Sequence, residues 1–83
     1  MTYQVEFEGA ALVQLNGLPP TAFDALVERV VALVKEPWDA DLMAPEDGPA
    51  YRQAIFGEGC GLLSFHADDA IELIRIFDIA WIG

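Results

Sequence analysis

The spacing of apolar residues along this 83-residue chain changes period twice, and that order limits what it can fold into. From Thr2 to Glu8 the pattern alternates, with Tyr3, Val5 and Phe7 on one face and Gln4, Glu6 and Glu8 on the other. A period of two is that of a strand with one buried and one wet face. From Phe23 to Val34 the spacing becomes helical, with Phe23, Leu26, Val27, Val30, Leu33 and Val34 on one stripe. After Pro49 the chain returns to strand-like runs. A strand, a helical segment and then consecutive strands without intervening helices describe an α+β domain.

The boundaries follow from local chemistry. Gly9 to Leu15 is short and rich in Ala and Leu, which predicts a brief helix. The Asn16-Gly17 pair should stop it in the left-handed conformation. Leu18-Pro19-Pro20-Thr21 should open the main helix, because proline lacks only an N–H that the first turn leaves unpaired anyway. Thr21 and Asp24 suggest a capping contact, Lys35 should lie in the last turn, and Pro37 should end the helix. Residues 37–49 read as irregular, with Trp38, Leu42 and Met43 tucked against the domain.

Three strands should follow: Ala50 to Phe56, Leu62 to His66 and Ala70 to Ile82. Gly57-Glu58-Gly59-Cys60-Gly61 reads as the first hairpin loop and Ala67-Asp68-Asp69 as the second turn. The last strand is apolar on both faces, as a central strand should be. The expected order is β-α-α-β-β-β, a helical hairpin packed on a twisted, mainly antiparallel four-stranded sheet. One domain, residues 1–83, accounts for the whole length.

Composition restricts function more than fold. Four Lys and Arg face fourteen Asp and Glu, a formal net charge of −10. With 54% hydrophobic residues this is a folding chain and not an acidic tail. The mean field repels nucleic acid phosphates and anionic lipid, so neither is an expected partner. A single cysteine, Cys60, excludes an internal disulfide framework. No apolar run reaches the ~20 residues of a membrane span, and no secretory signal opens the sequence, so a cytoplasmic protein is expected.

Few residues suggest chemistry. Gly57, Gly59 and Gly61 precede a strand and not the helix that a phosphate cradle needs. Ser64 and His66 share a strand face near Cys60 and Asp68, yet neighbours two apart on a strand seldom meet as nucleophile and base. The carboxylate pairs Asp39/Asp41, Glu46/Asp47 and Asp68/Asp69 lack the spacing of a cation loop, so neither a metal nor a cofactor is expected. Arg52 and Arg75 stand out among so few cations. They read either as partners of nearby acids or as a guanidinium site for phosphate or carboxylate.

The order of elements, together with Tyr3-x-Val5-x-Phe7, Ala50-Tyr51-Arg52-Gln53-Ala54-Ile55-Phe56, Leu62 to Phe65 and the apolar last strand, resembles the RelE/ParE superfamily of bacterial toxin–antitoxin toxins. The resemblance implies a toxin-like protein neutralised by a small antitoxin. In the family's ribosome-dependent ribonuclease branch, basic residues on the concave sheet face and a Tyr or His near the C-terminus cut messenger RNA. Carried onto this sequence, the resemblance assigns catalysis to Arg52 and Arg75. The lysines that the family places between helix and sheet are replaced by Asp39, Asp41, Glu46 and Asp47, and Trp81-Ile82-Gly83 supplies no Tyr or His.

Three functional expectations result. The first is a toxin-like component whose mRNA cleavage is weakened or lost, bound by an antitoxin carrying a basic segment. The second is a non-toxic interaction module that retains the fold and pairs with itself or another protein through a sheet edge or the apolar end of the last strand (Ile79, Trp81, Ile82). The third is an enzyme that uses Arg52 and Arg75 together on a small anion.

Overall fold

The computed structural model describes residues 2–82; Met1 and Gly83 lie outside the described residues. Strand β1 (Gln4–Phe7) leads into helices α1 (Gly9–Asn16) and α2 (Pro20–Leu33), followed by β2 (Asp41–Leu42), β3 (Tyr51–Phe56), β4 (Gly61–Asp68) and β5 (Leu73–Trp81). The sheet has five strands in the order β1-β5-β4-β3-β2. Only β1 and β5 run parallel; the other pairs are antiparallel.

The fold class is the one expected, with one strand more. Asp41–Leu42 forms a two-residue edge strand against Gln53 and Arg52, inside the segment that reads as irregular. Neither Trp38 nor Leu42 is tucked in; both are exposed, and among the described side chains of this stretch Pro37 and Ala40 are the buried ones. Strand β4 is longer than expected, so the turn falls at residues 69–72 and Ile71 is exposed. In that turn the Ala70 N–H donates to Asp68 Oδ1 at 3.0 Å.

The helix ends also differ in detail. Pro20 opens α2 as proline should, but no side chain caps it, so the expected Thr21 contact is absent. Lys35 lies just beyond the helix, whose C-cap is Val34. Gly17 closes α1 at φ −89°, an ordinary right-handed conformation. Its N–H reaches the Gln14 carbonyl, so the turn into α2 needs no left-handed residue.

Both helices cover one face of the sheet. Leu26, Leu33, Leu63, Phe65, Ile74 and Ile76 are completely buried there, and each such side chain contributes about 1.5–3 kcal/mol of hydrophobic free energy. The interval between Phe23 and Leu33 that looked like a single stripe divides. Leu26 and Leu33 face the core, while Phe23 and Val27 remain exposed.

A bulge in β5 decides how the last strand packs. Phe65 pairs with Ile76 and Ser64 with Asp78, leaving Phe77 as the extra residue. The inward positions therefore move from even to odd numbers, Ile74 and Ile76 before the bulge and Ile79 after it. Ile79 is buried and Trp81 stacks on Phe56 at 5.7 Å, so of the apolar end expected to be free only Ile82 is exposed. Beyond β1 the edge of β5 is covered by α1, where Gln14 Oε1 accepts the Ile79 N–H at 2.8 Å and its Nε2 donates to Asp78. One side chain thus satisfies an edge that would otherwise pair with another strand.

The β3–β4 hairpin needs its glycines. Gly57 sits at φ +62°, and a Cβ there would come 2.6 Å from the Trp81 ring. At Gly61 a Cβ would enter the ring of Phe56.

Tyr3, next to β1, reaches across the fold. Its hydroxyl donates to Asp69 Oδ1 at 2.6 Å. That bond, with burial second, raises the phenol above its usual value of 10.0. The folded state therefore holds the phenolic proton more tightly than the unfolded chain does. The stability this contributes is complete below the ordinary tyrosine value and is lost as pH rises through the raised one. Denaturant unfolding between about pH 9 and 11 should show this alkaline loss, and Tyr3→Phe should flatten it.

Candidate functional site

The face of the sheet away from the helices carries the polar groups. Register places Glu6 beside Arg75, Arg75 beside His66 and His66 beside Tyr51, one row crossing β1, β5, β4 and β3. Arg75 Nε lies 3.7 Å from Glu6 Oε1, and both side chains are substantially exposed. An exposed pair of this kind is worth at most about 1 kcal/mol, so the guanidinium stays available to another anion. Tyr51 meets His66 edge to face at 4.8 Å between ring centroids and Phe77 at 6.1 Å. The bulge that leaves Phe77 unpaired is what brings it into this group.

Glu8, Tyr51, His66, Arg75 and Phe77 line an open cleft of about 430 Å³. It offers one cation, the aromatic rings of Tyr51 and Phe77, and the imidazole of His66. Such a set can hold a planar or anionic group and exchange a proton with it. Glu6 and Glu8 at the β1 side counter the cation, so a polyanion is a poor fit.

Arg52 is elsewhere. It pairs with Phe65, whose side chain is buried under the helices, so it stands on the opposite face from Arg75. There its Nε donates to the Pro49 carbonyl at 2.8 Å, and its Nη1 donates to Ala40 at 2.9 Å and Trp38 at 3.3 Å. Its guanidinium also lies 5.2 Å above the Trp38 ring. Arg52 straps residues 38–49 to the edge of β3. The structure does not bring the two arginines together, so a joint guanidinium site does not form.

The imagined Cys60/Ser64–His66–Asp68 relay does not assemble either. No side-chain hydrogen bond joins any of them among the described residues, and Asp68 is occupied by the Ala70 N–H. Also among the described residues, no three His, Cys, Asp or Glu side chains gather as a metal site would require, and no helix is long and apolar enough to cross a membrane.

No family model and no curated protein matches the sequence. Solved structures do. The toxin–antitoxin complex RelBE2 of Mycobacterium tuberculosis contains a chain 25% identical to this one, with TM-score 0.85, covering 99% of this chain and 100% of that one. A mutant of the E. coli toxin RelE in the free state is 17% identical with TM-score 0.83, covering 98% of this chain and 84% of that one. The archaeal RelE–RelB complex of Pyrococcus horikoshii OT3 is 18% identical with TM-score 0.75, covering 100% and 98%. The chain has a RelE/ParE-like toxin fold. Within this toxin fold, the row from Glu6 to Tyr51 lies on the sheet face that the helical hairpin leaves uncovered.

Proposed function

We propose that the chain is the toxin-like component of a bacterial toxin–antitoxin system, acting in the cytoplasm as one domain over residues 1–83 and neutralised by a small antitoxin. The observation that carries this reading is the match to the M. tuberculosis RelBE2 chain over the full length of both. A fold alone does not assign chemistry, which has to come from the site. Here the open face offers Arg75 as its cation, because Arg52 is turned to the other side. Phosphodiester cleavage needs several positive groups around the phosphate in the transition state, and each missing donor costs about 3 kcal/mol. Ribosome-dependent mRNA cleavage is therefore weak or absent in this reading, with Arg75 and His66 as the residues on which any residual activity depends.

Inducible expression in a bacterial host tests the proposal. The expected result is growth arrest, relieved by the neighbouring reading frame, without codon-positioned cuts in ribosome-bound message. Unimpaired growth at high expression would favour the non-toxic interaction module instead. Strong mRNA cleavage would overturn the assignment of a depleted site.

A further inference from the structure

We infer that the outward face of α1 is a self-association surface, through which two copies of the chain pair as a weak antiparallel dimer. The inference goes beyond the toxin-like reading and does not depend on it. Charged side chains are spread over most of the sequence, but residues 9–23, between Glu8 and Asp24, carry none. Helix α1 lies entirely within that interval. Its inner face is fixed, because Ala11 is fully buried and Gln14 is bonded to Asp78 and to the Ile79 N–H. At ~3.6 residues per turn the opposite face is centred on Gly9, Leu12, Val13 and Asn16, and all four are exposed. Leu12 is 47% and Val13 73% exposed, two large apolar side chains next to each other. The uncharged surface continues around the turn through Leu18, Pro20 and Phe23 as far as Asp24, which border one hollow with Asn16. A contiguous apolar surface of this kind marks a contact site.

Charge selects the occupant. A second copy also carries −10, so across most of the surface carboxylates would meet carboxylates. The α1 face is where two copies can touch without that cost. The basic antitoxin segment expected above gains nothing on a face that holds no acid.

The residues on this face also suit two-fold symmetry. An axis between Leu12 and Val13 sets Leu12 of each copy on Val13 of the other, and Gly9 on Asn16, which is an isologous contact. A Cβ at Gly9 would meet nothing within 4 Å, so the position is an open notch that Asn16 of the second copy can enter. Glu8 then falls opposite Gly17 and meets no carboxylate. The two helices run antiparallel, which sets the positive end of each dipole beside the negative end of the other. One helix of 8 residues from each copy makes a contact at the small end of the interface range, so the dimer is weak.

Sedimentation equilibrium of the full chain, in reducing buffer so that Cys60 cannot cross-link, reads the association. The average mass should rise from one chain towards two between about 10 µM and 1 mM. Salt shortens the reach of the repulsion between two acidic copies, so association should tighten about threefold or more from roughly 0.05 to 0.5 M sodium chloride. Val13→Glu should weaken it by about tenfold or more. Val31→Glu adds the same charge at an exposed position of α2 and should weaken it by less than about threefold. Gly9→Gln fills the notch without meeting its own chain, so it should weaken association while the circular dichroism spectrum stays native. Amide chemical shifts that move with protein concentration should concentrate in residues 9–17. A chain still monomeric at about 1 mM in the higher salt would overturn the proposal. So would association that loosens with salt, that survives both Val13→Glu and Gly9→Gln, that Val31→Glu weakens as much as Val13→Glu does, or that moves amides on another face.

Discussion

Phe65→Ala is expected to remove most of the protein's stability. Phe65 is completely buried on central strand β4, between Arg52 of β3 and Ile76 of β5 in register. Truncating a buried phenylalanine costs about 3–5 kcal/mol, from lost transfer free energy and from the cavity left behind. A domain of this length has about 4–12 kcal/mol in total, and its small size places it towards the lower end. The urea midpoint should therefore fall by more than a third with little change in slope, and a broad pre-transition baseline loss should appear near room temperature. Ile55→Ala, on the open face where the side chain is 57% exposed, should change stability by no more than about 0.5 kcal/mol. Comparable losses for the two variants would contradict the assignment of the core to the helix side of the sheet.

The position of that core was legible in the sequence because periodicity is a local property. The alternation of Tyr3, Val5 and Phe7, the pair Pro19-Pro20 and the run from Leu62 to Phe65 each fix an element without reference to the rest of the chain. What local pattern does not carry is pairing. Asp41–Leu42 has no strand signal of its own and becomes a strand only because Gln53 and Arg52 present a free edge. Similarly, the two-faced apolar character of residues 73–81 hides a bulge, since extra residues on one strand are defined only against the partner. Phe23 and Val27 kept helical spacing with Leu26, but a helix stripe wider than the sheet beneath it leaves its margin in solvent.

The same distinction explains the site. Scarcity singled out Arg52 and Arg75, and scarcity says nothing about faces. Strand parity does: once Gly57 to Cys60 closes the β3–β4 hairpin, counting outward sets Tyr51 opposite His66 and Arg52 opposite Phe65. Tyr51 and His66 were thus within reach of the sequence, and the opposite facing of Arg52 with them. Neither Phe77, placed by the bulge, nor Glu6, placed by the parallel pairing of β1 with β5, could be assigned without the sheet order.

Arg52→Ala should destabilise the protein by about 2–3 kcal/mol, the range for losing charge-assisted hydrogen bonds and leaving a partly buried carbonyl unpaired. Its three acceptors, Pro49, Ala40 and Trp38, are all backbone carbonyls, and Ala40 is buried. For a domain this size the loss corresponds to a thermal midpoint lower by roughly 8–24 °C. Arg52→Lys should recover less than half of it, because an ammonium is a point donor and cannot span three carbonyls held in a planar fork. Hydrogen exchange should quicken first at Met43, whose N–H bonds to the Tyr51 carbonyl beside the strap. Arg75→Ala supplies the contrast. Its exposed pair with Glu6 contributes little, so stability should move by no more than about 0.5 kcal/mol. If growth arrest is observed, Arg75→Ala should weaken it at unchanged stability, and Arg52→Ala should weaken it only in proportion to the folded protein lost. An unaltered thermal midpoint for Arg52→Ala, with arrest abolished, would return Arg52 to the binding of phosphate and refute the strap.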